Sequence, residues 1–351
     1  MAIIDKPSDY FNTKLYTGNA TNPTTISGIG FQPDWVWTKL RAGGTEAHRL
    51  CDAVRGVTKD LFSDASDAQA TNLIGLKSFN SDGYVIGNSN GYNINSGTFV
   101  SWNWKAGTTG SGTTTGAGTG KAYSYSVNTT SGFSIVTYLG NGTEDHTIPH
   151  HLGVAPKMYI VKQRDGVDSW ITYHDGLGGA DKYILLNTTA AAGTSNNPWG
   201  TVVPTSSVNN LGSAGDTNGN DDSFIMYSFA DVQGYSKFGS YTGNGNADGT
   251  FVYTGFKPAY VMLKRTDAAG ERWNIKDNKR DGYNQTDPVL TADSSGVEYD
   301  DAQMDLLSNG FKIRTSAVST NASGGTYIYM AFAENPFVTS TSNGSIPATA
   351  R

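Results

Sequence analysis

The chain is 351 residues long, with 43 glycines, a single cysteine and 16% charged residues, where soluble domains ordinarily carry about 25% charge. Hydrophobic residues at 37% and aromatics at 11% are enough to build packed cores, which argues against a disordered chain. A net charge of −6 with no basic stripe argues against binding nucleic acid or an anionic membrane surface.

Met1 to Tyr10 lacks the basic and long apolar regions of a secretory signal, and no later stretch approaches 18 uninterrupted apolar residues. The chain is therefore expected to be soluble and made in a cytosol, without membrane insertion. Its length predicts two or three domains, and an internal repeat sets the number at three.

The first copy spans 1–105. Tyr16-Thr-Gly-Asn19 leads into an apolar strand from Pro33 to Lys39 containing Trp35-Val36-Trp37. His48-Arg-Leu-Cys-Asp52 follows, then Arg55, and Phe99-Val-Ser-Trp-Asn-Trp104 closes the unit. Residues 106–121 are mostly Gly and Thr with nothing able to anchor a core, and read as a flexible linker. The second copy, 122–233, repeats the landmarks as Tyr138-Leu-Gly-Asn141, Pro156 to Lys162, Trp170-Ile-Thr-Tyr-His174 with Leu177, and Phe224-Ile-Met-Tyr-Ser-Phe229. The third, 234–337, has Tyr241-Thr-Gly-Asn244, Pro258 to Lys264, Trp273-Asn-Ile-Lys-Asp277 with Arg280, and Tyr327-Ile-Tyr-Met-Ala-Phe332. No linker separates the second and third copies, which are expected to pack together. Residues 338–351 read as an extended surface tail.

The repeated segments are short, aromatic and β-branched, bounded by Gly, Asn, Asp or Pro, and no 3.6-residue period is sustained. The fold class is therefore all-β, with three consecutive β-sandwich repeats of about a hundred residues and little helix. Asp301 to Ser308 is the best candidate for a short helix.

Few motifs carry chemistry. Gly116-Ala-Gly-Thr-Gly120-Lys121 fails as a phosphate cradle, because Thr115 stands where the first glycine belongs and Ala122 offers no hydroxyl to magnesium. Asp216 to Asp222 has calcium-like acid density but a misplaced glycine, and reads as a polar turn. His146, His150 and His151, beside Glu144 and Asp145, form the best metal-ligating candidate. The equivalent turns at Asn19 and Asn244 carry no histidine, so an exposed histidine loop is expected and no metal or other cofactor is assigned. No nucleophile motif occurs in a strand–turn–helix setting, so no catalytic residue is assigned.

Asp52 and Asp277 recur but exchange with His174 in the middle copy, which suits turn capping better than catalysis. Lys39, Lys162 and Lys264 read as edge-protecting charges at strand ends. Cys51 excludes a disulfide framework or a cysteine-built zinc site, and is expected to be a small buried hydrophobe. Most aromatics fall at core positions. Tyr92 and Trp199 lie outside the repeat landmarks, and are the aromatics expected to face solvent and contact glycan.

Tyr16-Thr-Gly-Asn19, Gly30-Phe-Gln-Pro-Asp-Trp-Val-Trp37, Asp52-Ala-Val-Arg-Gly56, Phe79-Asn-Ser-Asp-Gly-Tyr84, Lys237-Phe-Gly-Ser-Tyr-Thr-Gly-Asn-Gly245 and Tyr327-Ile-Tyr-Met-Ala-Phe-Ala-Glu334 carry a resemblance. The chain resembles a family of repeated β-domains in structural proteins of marine bacteriophages, cyanophages and pelagiphages among them. The resemblance covers all but the 106–121 segment and the last dozen residues. It implies a concanavalin-type, lectin-like or jelly-roll sandwich and no enzymatic activity. It further implies a virion protein assembled in the host cytoplasm. Polar, Gly/Asn-rich loops on a rigid β scaffold lead to the expectation of a tail-fibre or surface-appendage subunit that touches other virion proteins and host-surface glycan. A homo-oligomer is expected, a trimer first. The alternatives are a capsid (head) decoration protein, a polysaccharide depolymerase and a lectin unrelated to virions.

Overall fold

The computed structural model describes residues 3–337; the expected tail, 338–351, lies outside the described residues. The chain is all-β. Each repeat builds one principal antiparallel sheet on the same plan, with an opening, a closing, a central and a lateral strand side by side. In the first repeat these are Phe11–Thr17, Thr98–Trp104, Trp35–Ala42 and Arg49–Asp52. In the second they are Phe133–Leu139, Ser223–Phe229, Met158–Gln163 and Ile171–His174. In the third they are Ser236–Thr242, Thr326–Pro336, Phe256–Arg265 and Asn274–Asp277.

The closing and central strands are apolar on both faces because both faces are covered. One face of each principal sheet packs on further strands of its own repeat, such as Thr24–Ser27 and Gly83–Ile86 in the first and Phe251–Tyr253 and Gly310–Ile313 in the third. Three separate cores result, around Val36 and Tyr84, around Tyr159 and Trp199, and around Val261 and Phe311. The opposite faces of all three sheets meet in one shared core, where Trp35, Trp104, Phe229, Tyr260 and Phe332 converge. Trp35 stacks on Tyr227 at 4.4 Å, and Phe332 lies 5.6 Å from Trp104 and 6.1 Å from Phe229. All seven tryptophans are buried. Each contributes a large apolar surface to these contacts.

Two expectations are corrected. The 106–121 segment is no free linker. Thr108–Thr113 pairs antiparallel with Ala122–Asn128 at the edge of the second repeat's sheet, and Thr115–Gly116 pairs with His146–Pro149. An edge strand needs backbone hydrogen bonds rather than core residues, and here Gly110 and Gly112 face Tyr125 and Tyr123 across the ladder. A Cβ on either glycine would lie 2.6–2.8 Å from a tyrosine hydroxyl, so the rings cover glycines that would otherwise leave the strand bare. Nor is Asp301 to Ser308 a helix: Tyr299–Leu307 is a strand, with Met304 and Leu306 inward and Asp305 between them. Its apolar residues follow the period of two. The second and third repeats do pack together, and the first packs with them.

Among the described residues the α-helices instead are single turns at Asn90–Asn93, Gly215–Asn218 and Val318–Asn321, each just before the closing strand. The Tyr-x-Gly-Asn landmark exists to receive them. Tyr16, Tyr138 and Tyr241 donate their hydroxyls to Tyr92 O, Thr217 O and Thr320 O. The buried Asn93, Asn218 and Asn321 accept at Oδ1 from the backbone N–H of Asn19, Asn141 and Asn244.

Candidate interaction sites

The polar landmarks of the repeat join the repeats to one another. Asp52 accepts from the backbone N–H of Val54 and Arg55 and pairs with the Arg55 guanidinium. Tyr227 of the second repeat then donates to its Oδ2 at 2.7 Å. Asp277 repeats the arrangement with Lys279, Arg280 and, from the first repeat, Trp102 at 3.0 Å. Burial pushes the Asp277 carboxyl up, but Arg280 and the Trp102 donor outweigh it and hold it below its ordinary value. Trp102 and Tyr227 occupy the same position of the closing strand, which in the third repeat is Met330. Met330 has no donor, and the residue opposite is correspondingly His174, which accepts from Gly176 N–H at Nδ1 and bonds the Tyr329 carbonyl through Nε2 at 3.0 Å. Burial lowers its pKa to about 4, so the ring is neutral and Nε2 is the donor.

A second set of contacts runs in the same sense. Trp170 donates its indole N–H to Phe62 O, Trp273 donates to Leu185 O, and His48, at their position, bonds Thr291 O through Nε2. Trp37 donates to His48 Nδ1, which fixes the tautomer. First contacts third, third contacts second and second contacts first, so equivalent bonds close a ring of three.

The lysines are corrected. Lys39, Lys162 and Lys264 lie in central strands with neighbours on both sides and are fully buried. Their ammonium groups donate to backbone carbonyls: Lys39 to Leu40 and Ser295, Lys162 to Gln163 and Gly166, and Lys264 to Thr189 and Glu271. Burial lowers each pKa to about 8. Cys51 is buried, and its thiol is pushed up to about 12 by that burial.

Tyr92 and Trp199 are also corrected: both are fully buried. Tyr92 follows the first residues of a one-turn helix and donates to Asp60 at 2.5 Å, while Trp199 packs edge-on against Tyr159 at 4.7 Å. Neither reaches a sugar. The three histidines are not brought to one point. His146 is buried and bonds Asn141, His150 bonds Thr205 O, and His151 stacks on Tyr125 at 3.7 Å. Among the described residues no group of three His, Cys, Asp or Glu side chains is placed to hold a metal. In the acidic turn, Asp221 pairs with Lys121.

A groove of about 460 Å³ runs between the second and third repeats. Lys182 and Thr194 line one side, and Ser240, Thr242, Thr266 and Thr326 the other. Lys182 Nζ donates to Thr194 Oγ1 at 2.8 Å, and the Thr266 and Thr326 hydroxyls lie 2.8 Å apart. Tyr241 and Tyr327 also line it, but their stacked rings are buried in the third repeat's own core. Hydroxyls that both donate and accept, beside an ammonium, match the hydroxyl-rich surface of a sugar. Sequence reasoning missed this groove because its residues come from separate strands of two repeats.

The family described as a domain of unknown function, DUF7483, matches residues 6–336. No curated protein and no solved structure matches the chain.

Proposed function

The chain belongs to the DUF7483 family, and we propose that it is a non-enzymatic structural protein of a bacteriophage virion, a tail-fibre or surface-appendage subunit. In this reading it contacts host-surface glycan through the groove between its second and third repeats. The observation that carries the reading is the groove itself, lined by Lys182 and five serine and threonine residues and set in a block whose repeats are locked around one core. Rigid β scaffolds of this kind hold a polar surface in a fixed shape, which favours recognition over turnover. The repeat motifs that resemble marine phage structural proteins supply the virion setting.

One observation favours head decoration as a second reading. The closed ring of three repeats gives a single chain an approximate threefold arrangement, which suits a threefold position on a capsid lattice. Immunogold labelling of purified particles separates the two. Label on tails supports the appendage, label on heads supports decoration, and particles without label overturn the virion assignment. A glycan array tests the groove: hits lost in Lys182→Ala and Thr242→Ala support it, and no hits with the intact protein overturn it.

A further inference from the structure

The first repeat carries its own Arg49 at a place that the second repeat leaves open. Arg49 Nη2 donates to Glu46 Oε2 at 3.2 Å, Nη1 lies 3.9 Å from Asp60, and Cζ sits 4.8 Å from the centre of the Phe62 ring. A Cβ on Gly91 would lie 2.2 Å from Arg49 Nε, so the guanidinium occupies the space above that glycine. Counting along the repeat, Glu46, Arg49, Asp60, Phe62 and Gly91 correspond to Asp168, Ile171, Tyr183, Leu185 and Asp216. All five of those residues line one cleft of about 320 Å³ in the second repeat, together with Ser195 and Asn197.

The shorter Ile171 does not enter the space that Arg49 fills, and a second carboxylate, Asp216, replaces Gly91. Asp216 Oδ1 is shielded from solvent and has no hydrogen-bond partner beyond its own residue. Burial and the neighbouring Asp168 both raise the Asp216 carboxyl above its ordinary value, as expected for two acids close to each other. The third repeat keeps only one acid at these positions, with Glu271, Asn274, Val289, Thr291 and Ser319.

We propose that the cleft of the second repeat is a receptor for an arginine side chain of a partner protein, its guanidinium held between Asp168 and Asp216 beside the Tyr183 ring. A guanidinium is planar, carries five donors and stacks on aromatic rings, so it engages two carboxylates and a ring together; an ammonium does so less well.

The test is a titration of the intact protein with the blocked tripeptide Gly-Arg-Gly, followed by chemical shifts, with Gly-Lys-Gly and Gly-citrulline-Gly as comparisons. Saturable binding of the arginine peptide is expected, weaker binding of lysine and none of citrulline. Asp168→Asn and Asp216→Asn each reduce affinity roughly tenfold, the loss of one charge-assisted contact. Ile171→Arg rebuilds the first repeat's arrangement and abolishes binding, with an unchanged spectrum elsewhere showing that it folds. No binding of the arginine peptide, equal binding of citrulline, or binding unmoved by both asparagine variants overturns the proposal.

Discussion

Trp102 of the first repeat donates its indole N–H to the Asp277 carboxylate of the third at 3.0 Å, in a site from which water is excluded. The same carboxylate neutralises the buried Arg280. Asp277→Ala leaves the buried Arg280 guanidinium with Glu298, 3.0 Å away, as its remaining carboxylate partner, and is expected to destabilise the chain by about 3 kcal/mol, the low end for a broken buried pair. Trp102→Phe removes only the donor and leaves the ion pair, for about 1–3 kcal/mol. Urea midpoints of the two variants check the order, which reverses if the contact between repeats matters more than the ion pair.

His174 is the counterpart of Asp277 and Asp52, and it bonds the Tyr329 carbonyl, next to Met330, where they accept from Trp102 and Tyr227. A carboxylate there would meet no donor from Met330 and no arginine, because Leu177 replaces Arg280. His174→Asp is expected to cost about 3 kcal/mol or more. Adding Leu177→Arg should recover part of that loss, a positive coupling read from a double-mutant cycle. Additive effects would contradict the pairing.

The alkaline stability of the protein follows from its lysines. The pKa values of Lys39, Lys162 and Lys264 are lowered by burial to about 8, and that of Lys276 to about 7, against about 10.4 in an unfolded chain. Between those values the unfolded chain binds protons that the folded chain does not, so stability rises with pH from about 8 towards 10. Cys51 opposes this above its ordinary pKa, since its folded value is pushed up. Above about 10 the slope reverses, because Tyr16, Tyr138 and Tyr241 are held well above their ordinary values by burial. Urea midpoints measured at pH 7.5, 8.5, 9.5 and 10.5 (roughly spanning these values) should rise and then fall. Replacing the three strand lysines with methionine should flatten the rise.

Gly18, Gly140 and Gly243 lie where the closing strand's preceding turn passes close by. A Cβ would meet Ile94 O at 2.1 Å, Gly219 O at 2.3 Å and Ala322 O at 2.3 Å. Alanine at any one of them must push a backbone carbonyl aside, and is expected to cost about 1–3 kcal/mol. Thermal midpoints of the three single variants should fall by similar amounts, since the three sites are equivalent.

The repeat, its three landmarks and the all-β class were legible because they rest on local signals: aromatic spacing, strand-entry prolines and turn glycines. The one-turn helices were not, since four residues carry no period. Residues 106–121 misled because a strand at a sheet edge can be built from backbone alone, with its side-chain cover supplied by Tyr123 and Tyr125 from the neighbouring strand. Lys39 and Lys264 misled for a related reason: a strand lysine is exposed unless another repeat brings carbonyls to it, as Ser295 and Thr189 do, while Lys162 finds Gln163 and Gly166 in its own repeat. The groove and the cleft depend on side chains from distant segments, so neither had a sequence signal. The equivalence of Arg49 with Ile171 was available in the repeat alignment, but its meaning needed the guanidinium's position.

Calorimetric unfolding of the intact chain tests most directly that three repeats form one body closed by equivalent contacts. One transition, with calorimetric and van't Hoff enthalpies equal, is the expected result, and Asp277→Ala should lower that single midpoint without splitting it. Two or more separable transitions, above all an independent one for residues 1–105, would contradict the shared core.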